Sequence, residues 1–309
     1  MRRTWRIAAI SLFILALAAR NLRTNRADRR GAALVAATMT LTGILAWVFG
    51  AHHSLAIEAE YRSLFRAAGT TLVVTSLVWP MYLALEPYVR RLWPDSLLGW
   101  SRLTSGHVHD PRVGHDVLVG AVVGVAVALL AAGRASIIPW LGYPAPVPVF
   151  GEDVYVLLGP GAVISATLLS LFGALEAALI AVLIVVFIRL AVRWTWLSIT
   201  ISVALLSLPF LDEAGTTSTS LVLAFALASG AILTYVVFRA GLLALAAALF
   251  VYIALMNVPF MPEIAHWAAP AGHWTMIIII VLVAFGFYAS RAGQPLWGGT
   301  ENSKRETRN

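Results

Sequence analysis

The stretch AVISATLLSLFGALEAALIAVLIVVFI, residues 162–188, decides the fold. Its one ionisable side chain is Glu176, near the middle, and Arg189 closes it. A bilayer core about 30 Å thick takes about 20 apolar residues per helix, and a surface helix of a soluble domain needs a polar face that this run lacks. The stretch therefore reads as a membrane-spanning helix.

Eight further apolar runs flank it, at 5–19, 31–51, 67–85, 117–133, 194–211, 219–238, 240–258 and 274–290. Together they predict an all-α, polytopic helical bundle of about nine spans. Composition agrees: 309 residues are 60% hydrophobic and only 12% charged, and mean hydropathy is +0.84. A soluble domain is nearer about half apolar. The spans and their short breaks place residues 1–299 in one membrane-embedded domain, followed by a disordered basic tail, 300–309. Val154 to Leu158, ending in Gly159-Pro160-Gly161, is a lead-in to the fifth helix and not a span of its own.

Arginine sets the orientation, because cytoplasmic loops carry the excess of Lys and Arg. Alternate breaks hold Arg20 to Arg30, then Arg90, Arg91, Arg102 and Arg112, then Arg189 and Arg193, then Arg239, then Arg291 and the tail. The opposite breaks hold only Arg2, Arg3, Arg6, Arg62, Arg66 and Arg134, while Asp and Glu show no such bias. The pattern predicts an amino terminus outside, a cytoplasmic carboxyl terminus and residence in a bacterial inner membrane. Met1 to Arg6, an apolar run and Ala16-Leu17-Ala18 also have the form of a signal peptide. Cleavage there would export the cluster from Arg20 to Arg30, so an uncleaved span is the preferred reading.

The net charge of +7 does not argue for nucleic acid. Arginines at helix ends face anionic headgroups, each gaining on the order of 1 kcal/mol, and lipid is the expected partner. No cofactor is expected. The absence of cysteine excludes disulfides, thiolate zinc sites, iron–sulfur ligation and cysteine nucleophiles.

One polar stretch is dense in motifs: EPYVRRLWPDSLLGWSRLTSGHVHDPRVGHD, residues 86–116. Trp93, Leu97, Leu98 and Trp100 give it an apolar side, and Pro87, Pro94, Pro111, Gly106 and Gly114 break it into turns. It is expected to lie along the inner leaflet as an interfacial hairpin, tryptophans at headgroup depth and Arg90, Arg91 and Arg102 toward phosphates. Docking of another protein domain is the functional rival, with Asp110 and Asp116 among its candidate residues.

Several residues invite sharper readings. Glu176, at mid-membrane, is either a proton or cation relay or a structural carboxyl bonded to a helix-borne group such as Asn257; the structural reading is favoured. His107, His109 and His115 with Asp110 and Asp116 have metal-ligand chemistry, but a surface loop is a poor cage. Glu86-x-x-x-Arg90 is faintly like the Glu-Glu-x-x-x-Arg element of intramembrane metalloproteases, without the histidines; an i,i+4 ion pair is the simpler account. Gly120-x-x-x-Gly124 permits close helix approach, within the chain by default or in a homodimer. The outer segment 134–161, with Pro139, Trp140, Pro144, Pro146 and Pro148, is either a rigid cap or an ordinary proline-rich loop.

Five stretches, in order, resemble the carboxyl-terminal multi-span region of large bacterial membrane-anchored serine/threonine protein kinases. They are Ala19-Arg20-Asn21-Leu22-Arg23 with Asp28-Arg29-Arg30-Gly31-Ala32; Leu83-Ala84-Leu85-Glu86-Pro87-Tyr88-Val89-Arg90-Arg91 with Trp93-Pro94; Trp100-Ser101-Arg102-Leu103; Asp110-Pro111-x-Val113-Gly114-x-Asp116-Val117-Leu118; and Ala292-Gly293-Gln294-Pro295-Leu296. The resemblance implies a membrane module that follows a cytosolic kinase domain, one span and an extracytoplasmic segment. This chain has no Gly-rich phosphate loop, no His-Arg-Asp loop and no Asp-Phe-Gly, so kinase activity is not assigned to it.

Two function classes follow. One is a noncatalytic sensor, anchor or scaffold that engages a kinase domain or another cytosolic signalling partner through 86–116 and the tail. The other is a small-solute or proton-coupled transporter using Glu176, although no internal repeat or paired interrupted helices accompany it. An intramembrane protease is a distant third.

Overall fold

The computed structural model describes residues 14–24, 28–142, 152–211, 219–261 and 266–292. All regular structure among them is helical. The described part of α1 covers 14–23. It is followed by α2 (Arg29–Gly50), α3 (Ile57–Leu92), α4 (Leu98–Thr104), α5 (Pro111–Trp140), α6 (Pro160–Ala191), α7 (Thr195–Ser207), α8 (Thr219–Arg239), α9 (Leu242–Met256) and α10 (Ala269–Ser290). Within the described residues, the apolar runs lie mainly on helix, although residues 5–13 of the first run are outside them. Six helices, α2, α3, α5, α6, α8 and α10, are long and apolar enough to cross a membrane. The helices at 195–210 and 242–256 are apolar but shorter. A multi-pass membrane bundle is the architecture.

Helix lengths depart from the apolar runs where polar ends continue the helix. The run expected at 67–85 lies inside a 36-residue helix, about 54 Å long at 1.5 Å per residue. Glu58 and Glu60 stand in its first turn and Arg90 and Arg91 in its last, which complements the helix dipole at both ends. The fourth run, expected to end at 133, continues as α5 to Trp140 past Pro139. The lead-in before α6 is a 3-10 turn, Glu152–Leu158; Gly159 at φ 125° then turns the chain into Pro160 at N1. Residues 143–151 of the proline-rich loop, most of the first run, the tail, Asp212, Glu213 and Glu263 lie outside the described residues.

The innermost helix is α9. It is apolar on every side, and its buried residues include Leu242, Leu245, Ala248, Leu249 and Val251, as expected for a helix with no solvent or lipid face. It packs mainly against α5 and α6. Gly120 and Gly124 make the α5 contact close: an added methyl would strike the backbone carbonyls of Ala244 and Ala248. That face is therefore used within the chain, which removes it from the homodimer reading. Gly114 and Gly286 bring α5 and α10 together in the same way.

Two ends of the bundle can be told apart by their contacts. At one, Gly50 meets Tyr155 and Ser165, and Gly272 meets Pro259. At the other, α4 packs on α5 and α2, Trp93 meets Phe238, and His109 meets Phe285 and Tyr288. The second end holds Arg90, Arg91, Arg102, Arg112 and Arg239 and is called the basic end below.

Candidate functional site

The 86–116 stretch packs onto the basic end of the bundle. Trp100 is only 5% exposed, and its indole N–H donates to the Tyr82 hydroxyl at 3.1 Å. A buried tryptophan needs such an acceptor, and Tyr82 supplies it from α3. Leu97 is buried as well, and Trp93 packs edge-on against Phe238 with ring centroids 5.1 Å apart. The apolar side of this segment is thus spent on the bundle core and not left facing lipid.

Local sequence explains the turns. Gly106, at φ 89°, ends α4: His107 N–H donates to Arg102 carbonyl at 2.9 Å and Gly106 N–H to Leu103 carbonyl at 3.0 Å, the Schellman pattern. Asp110 then caps α5, accepting from Arg112 N–H at 2.9 Å, with Pro111 at the first helical position. Its other oxygen accepts from Arg102 at 2.7 Å. Asp110 and Arg102 therefore clamp α4 to α5.

Glu86 is the centre of the site. Its side chain is 3% exposed and pairs with Arg90 at 2.6 Å, while Oε2 accepts from Asp28 N–H at 3.3 Å. Asp28 in turn caps α2 through Gly31 N–H at 2.9 Å. Gly31 leaves room for the Tyr82 hydroxyl, which a methyl group there would meet at 2.7 Å. Both Glu86 oxygens are thus spent on α3 and on the start of α2, and no histidine is among its partners. The pair is an architectural lock between helices, the role the i,i+4 reading implies, and not a water-activating carboxylate.

Asn21 completes the lock. Pro87 has no N–H, which leaves the carbonyl of Leu83 four residues earlier without its helical donor. Asn21 is 5% exposed, and its side-chain amide donates to Leu83 carbonyl at 3.0 Å and to Ala84 carbonyl at 3.3 Å. Asn21 and Asp28 stand in the sequence only as members of the resembling stretches and Tyr82 carries no motif, although Pro87 announces an orphan acceptor and Asp28 has the character of an N-cap.

The other candidates separate from this cluster. Asp116 lies against Gly99, where a side chain on that residue would collide with its carboxylate, and 3.5 Å from exposed His115. Arg91 is exposed. His107, His109 and His115 do not converge, and among the described residues no three His, Asp or Glu are grouped to hold a metal. Glu176 is half-buried at the middle of α6 and lines an apolar groove of about 240 Å³ with Leu15, Val74, Leu77, Pro80 and Met81. Asn257 does not reach it; the Asn257 amide instead faces Ser170 Oγ at 3.5 Å.

At the opposite end His53 lies between two acceptors, the Glu60 carboxylate at 2.5 Å and the Val48 carbonyl at 2.9 Å. The hydrogen bond to Glu60 is the larger cause, and that to Val48 the next, of a His53 pKa raised above its ordinary value.

Comparison with known proteins finds no match for the chain, whether among family models, curated proteins or solved structures.

Proposed function

We propose that this chain is a noncatalytic integral-membrane anchor and scaffold, resembling the membrane region of a bacterial serine/threonine kinase. In this reading nine helices cross a bacterial inner membrane, with the amino terminus outside and the basic end and tail in the cytoplasm. The observation that carries it is the locked segment 86–116. Glu86, Asp28, Asn21 and Trp100 hold that segment against the bundle, so Arg91 and the half-exposed Arg90 and Arg102 stand on a fixed frame. A preorganised surface loses little conformational entropy when a partner docks, which is what an anchor for a cytosolic signalling domain requires.

The test is the size of the native product in source membranes, read by immunoblot with an antibody against Thr300 to Asn309. A species several times heavier than 33.2 kDa is expected, bearing the kinase portion. A species of 33.2 kDa alone would overturn the kinase-linked form of the reading.

A second reading rests on Glu176. A carboxyl at mid-span facing a groove is the feature from which a proton or cation path is built. Among the described residues its groove offers no second ionisable or hydrogen-bonding side chain, so the anchor reading is preferred.

A further inference from the structure

A second cavity, distinct from the Glu176 groove, opens beneath α4. Its volume is about 760 Å³, within the range of roughly 300–1,000 Å³ that small-molecule sites occupy. Leu34 and Thr38 on α2 form one wall, and Leu282 and Phe285 on α10 the other. The floor is built from α5, α6 and α9, and Trp100 and Thr104 of α4 form the roof at the basic end. Helices α2 and α10 do not pack closely on each other, so the cavity opens sideways between them.

Close packing leaves few voids larger than a water molecule inside a protein, so a side-opening recess of this size is a place for an occupant from outside the chain. Water is a poor occupant. Each buried water needs about three polar partners, yet the Trp100 N–H is taken by Tyr82 and the Thr104 hydroxyl by the carbonyls of Trp100 and Ser101. The cavity runs from Leu243 to Phe250 on α9 and from Ile278 to Phe285 on α10. That is about 10 Å along each helix at 1.5 Å per residue, about a third of a hydrocarbon core.

The basic groups are confined to one end. Arg30 lies one turn beyond Leu34 on the same face of α2 and is exposed. His109 packs edge-on against Phe285 of the wall, and exposed Arg112 precedes Val113 of the floor in the first turn of α5. Apolar depth with a cationic rim matches an amphiphile with an anionic head.

We infer that this cavity binds one acyl chain of an anionic phospholipid, which enters between α2 and α10 and leaves its phosphate beside Arg30 and Arg112. The inference rests on the membrane architecture and goes beyond the anchor reading, holding equally for a transporter. A bound lipid would seat α4, and so couple the 86–116 segment to the lipid composition of the leaflet.

The test uses the full chain in nanodiscs of equal parts phosphatidylcholine and phosphatidylglycerol, with a trace of phosphatidylglycerol carrying a diazirine in mid-acyl chain. After irradiation, adducts are mapped by mass spectrometry. They are expected to concentrate at Thr38, Phe250 and Leu282. Thr38→Phe places bulk in the entrance and should lower these adducts about tenfold, leaving those at the exposed Leu223 and Tyr235 of α8 unchanged. Leu34→Trp, at a position already 43% exposed, is a second variant with little demand on folding. Charge reversal, Arg30→Glu, should reduce cavity labelling by the phosphatidylglycerol probe and spare a phosphatidylcholine probe. Labelling spread evenly over cavity and α8, labelling indifferent to both filling variants, cavity labelling only by a diazirine fatty acid, or cross-linking of the cavity to a second copy of the chain would each overturn the proposal.

Discussion

The side-chain amide of Asn21 donates to the backbone carbonyl of Leu83 across 62 residues of sequence, and it does so because Pro87 cannot. A proline inside a helix ordinarily leaves one carbonyl unpaired, and in a buried setting that group loses the free energy of a hydrogen bond to water. The α1 residue therefore repairs a defect written into α3.

Removing the repair exposes the defect. Asn21→Ala should destabilise the bundle by about 1–3 kcal/mol. Pro87→Ala restores an N–H four residues after Leu83, so in that background the same Asn21→Ala change should have a smaller effect. Thermal unfolding of the four proteins in one detergent gives the coupling. Equal effects of Asn21→Ala in both backgrounds would mean that the amide serves another purpose.

Arg90 and Glu86 are unequal partners, the guanidinium 59% exposed and the carboxylate 3%. Deleting the exposed partner is the more damaging change, because the carboxylate then stays buried with the Asp28 N–H as its remaining donor. Breaking buried pairs costs about 3–5 kcal/mol; water reaching the Arg90 side lowers this to about 1–3 kcal/mol. Glu86→Gln keeps an acceptor for Asp28 N–H and should be milder. Guanidinium or heat unfolding of Arg90→Ala and Glu86→Gln ranks them, and the opposite order would contradict this account of the lock.

The sequence displayed the helices far better than it displayed the lock. Apolar run length reports a span directly, and Gly120-x-x-x-Gly124 reports close approach whatever the partner helix turns out to be. Length alone did not reveal that α3 extends by about ten residues before its apolar core, since Glu58, Arg62 and Arg66 continue a helix without being apolar. Trp100 was read as interfacial because an amphipathic residue in a polar loop has two homes, headgroups or core. The choice depends on Tyr82, whose hydroxyl is placed by the fold. Glu86 and Arg90 were visible as an i,i+4 pair, but Asp28 and Asn21 reach them only through the packing of α1 and α2 on α3. The acyl-chain cavity was invisible for the same reason: it is the space between α2 and α10, helices distant in sequence.

His53 should make the loop between α2 and α3 sensitive to pH. A neutral imidazole has one N–H, yet both ring nitrogens face acceptors, so only the imidazolium satisfies Glu60 and Val48 together. A His pKa raised on folding contributes stability that is complete below the ordinary value of about 6.5 and is lost as pH rises through the folded value. Glu60 must also be ionised, which sets a lower limit near the ordinary carboxylate value of about 4.3. The difference in melting temperature between wild type and His53→Gln should therefore be greatest at about pH 5–6 and vanish at alkaline pH. Both groups are exposed, so added salt should shrink it. A difference independent of pH from 5 to 9 would remove the imidazolium from the account.

Glu176 allows the two functional readings to be separated by flux once the stability cost of its carboxyl group is measured. Glu176 is half-buried, and the described residues that line its groove with it are all apolar. A polar group that loses water without gaining a partner opposes folding by about 1–3 kcal/mol in mutational series. Glu176→Leu, which suits the surfaces of Leu77, Met81 and Leu183, should then unfold at a higher temperature than wild type, with Glu176→Gln between them. In an anchor the substituted chain keeps its role, because nothing in the lock at the basic end touches α6 at this level. In a transporter the same carboxyl is retained against its own stability cost because it carries the proton, and Glu176→Gln would abolish flux in reconstituted vesicles although it melts no lower than wild type. A lower melting temperature for Glu176→Leu would show that the carboxyl holds a contact worth more than its desolvation, a structural role that overturns this account of its cost.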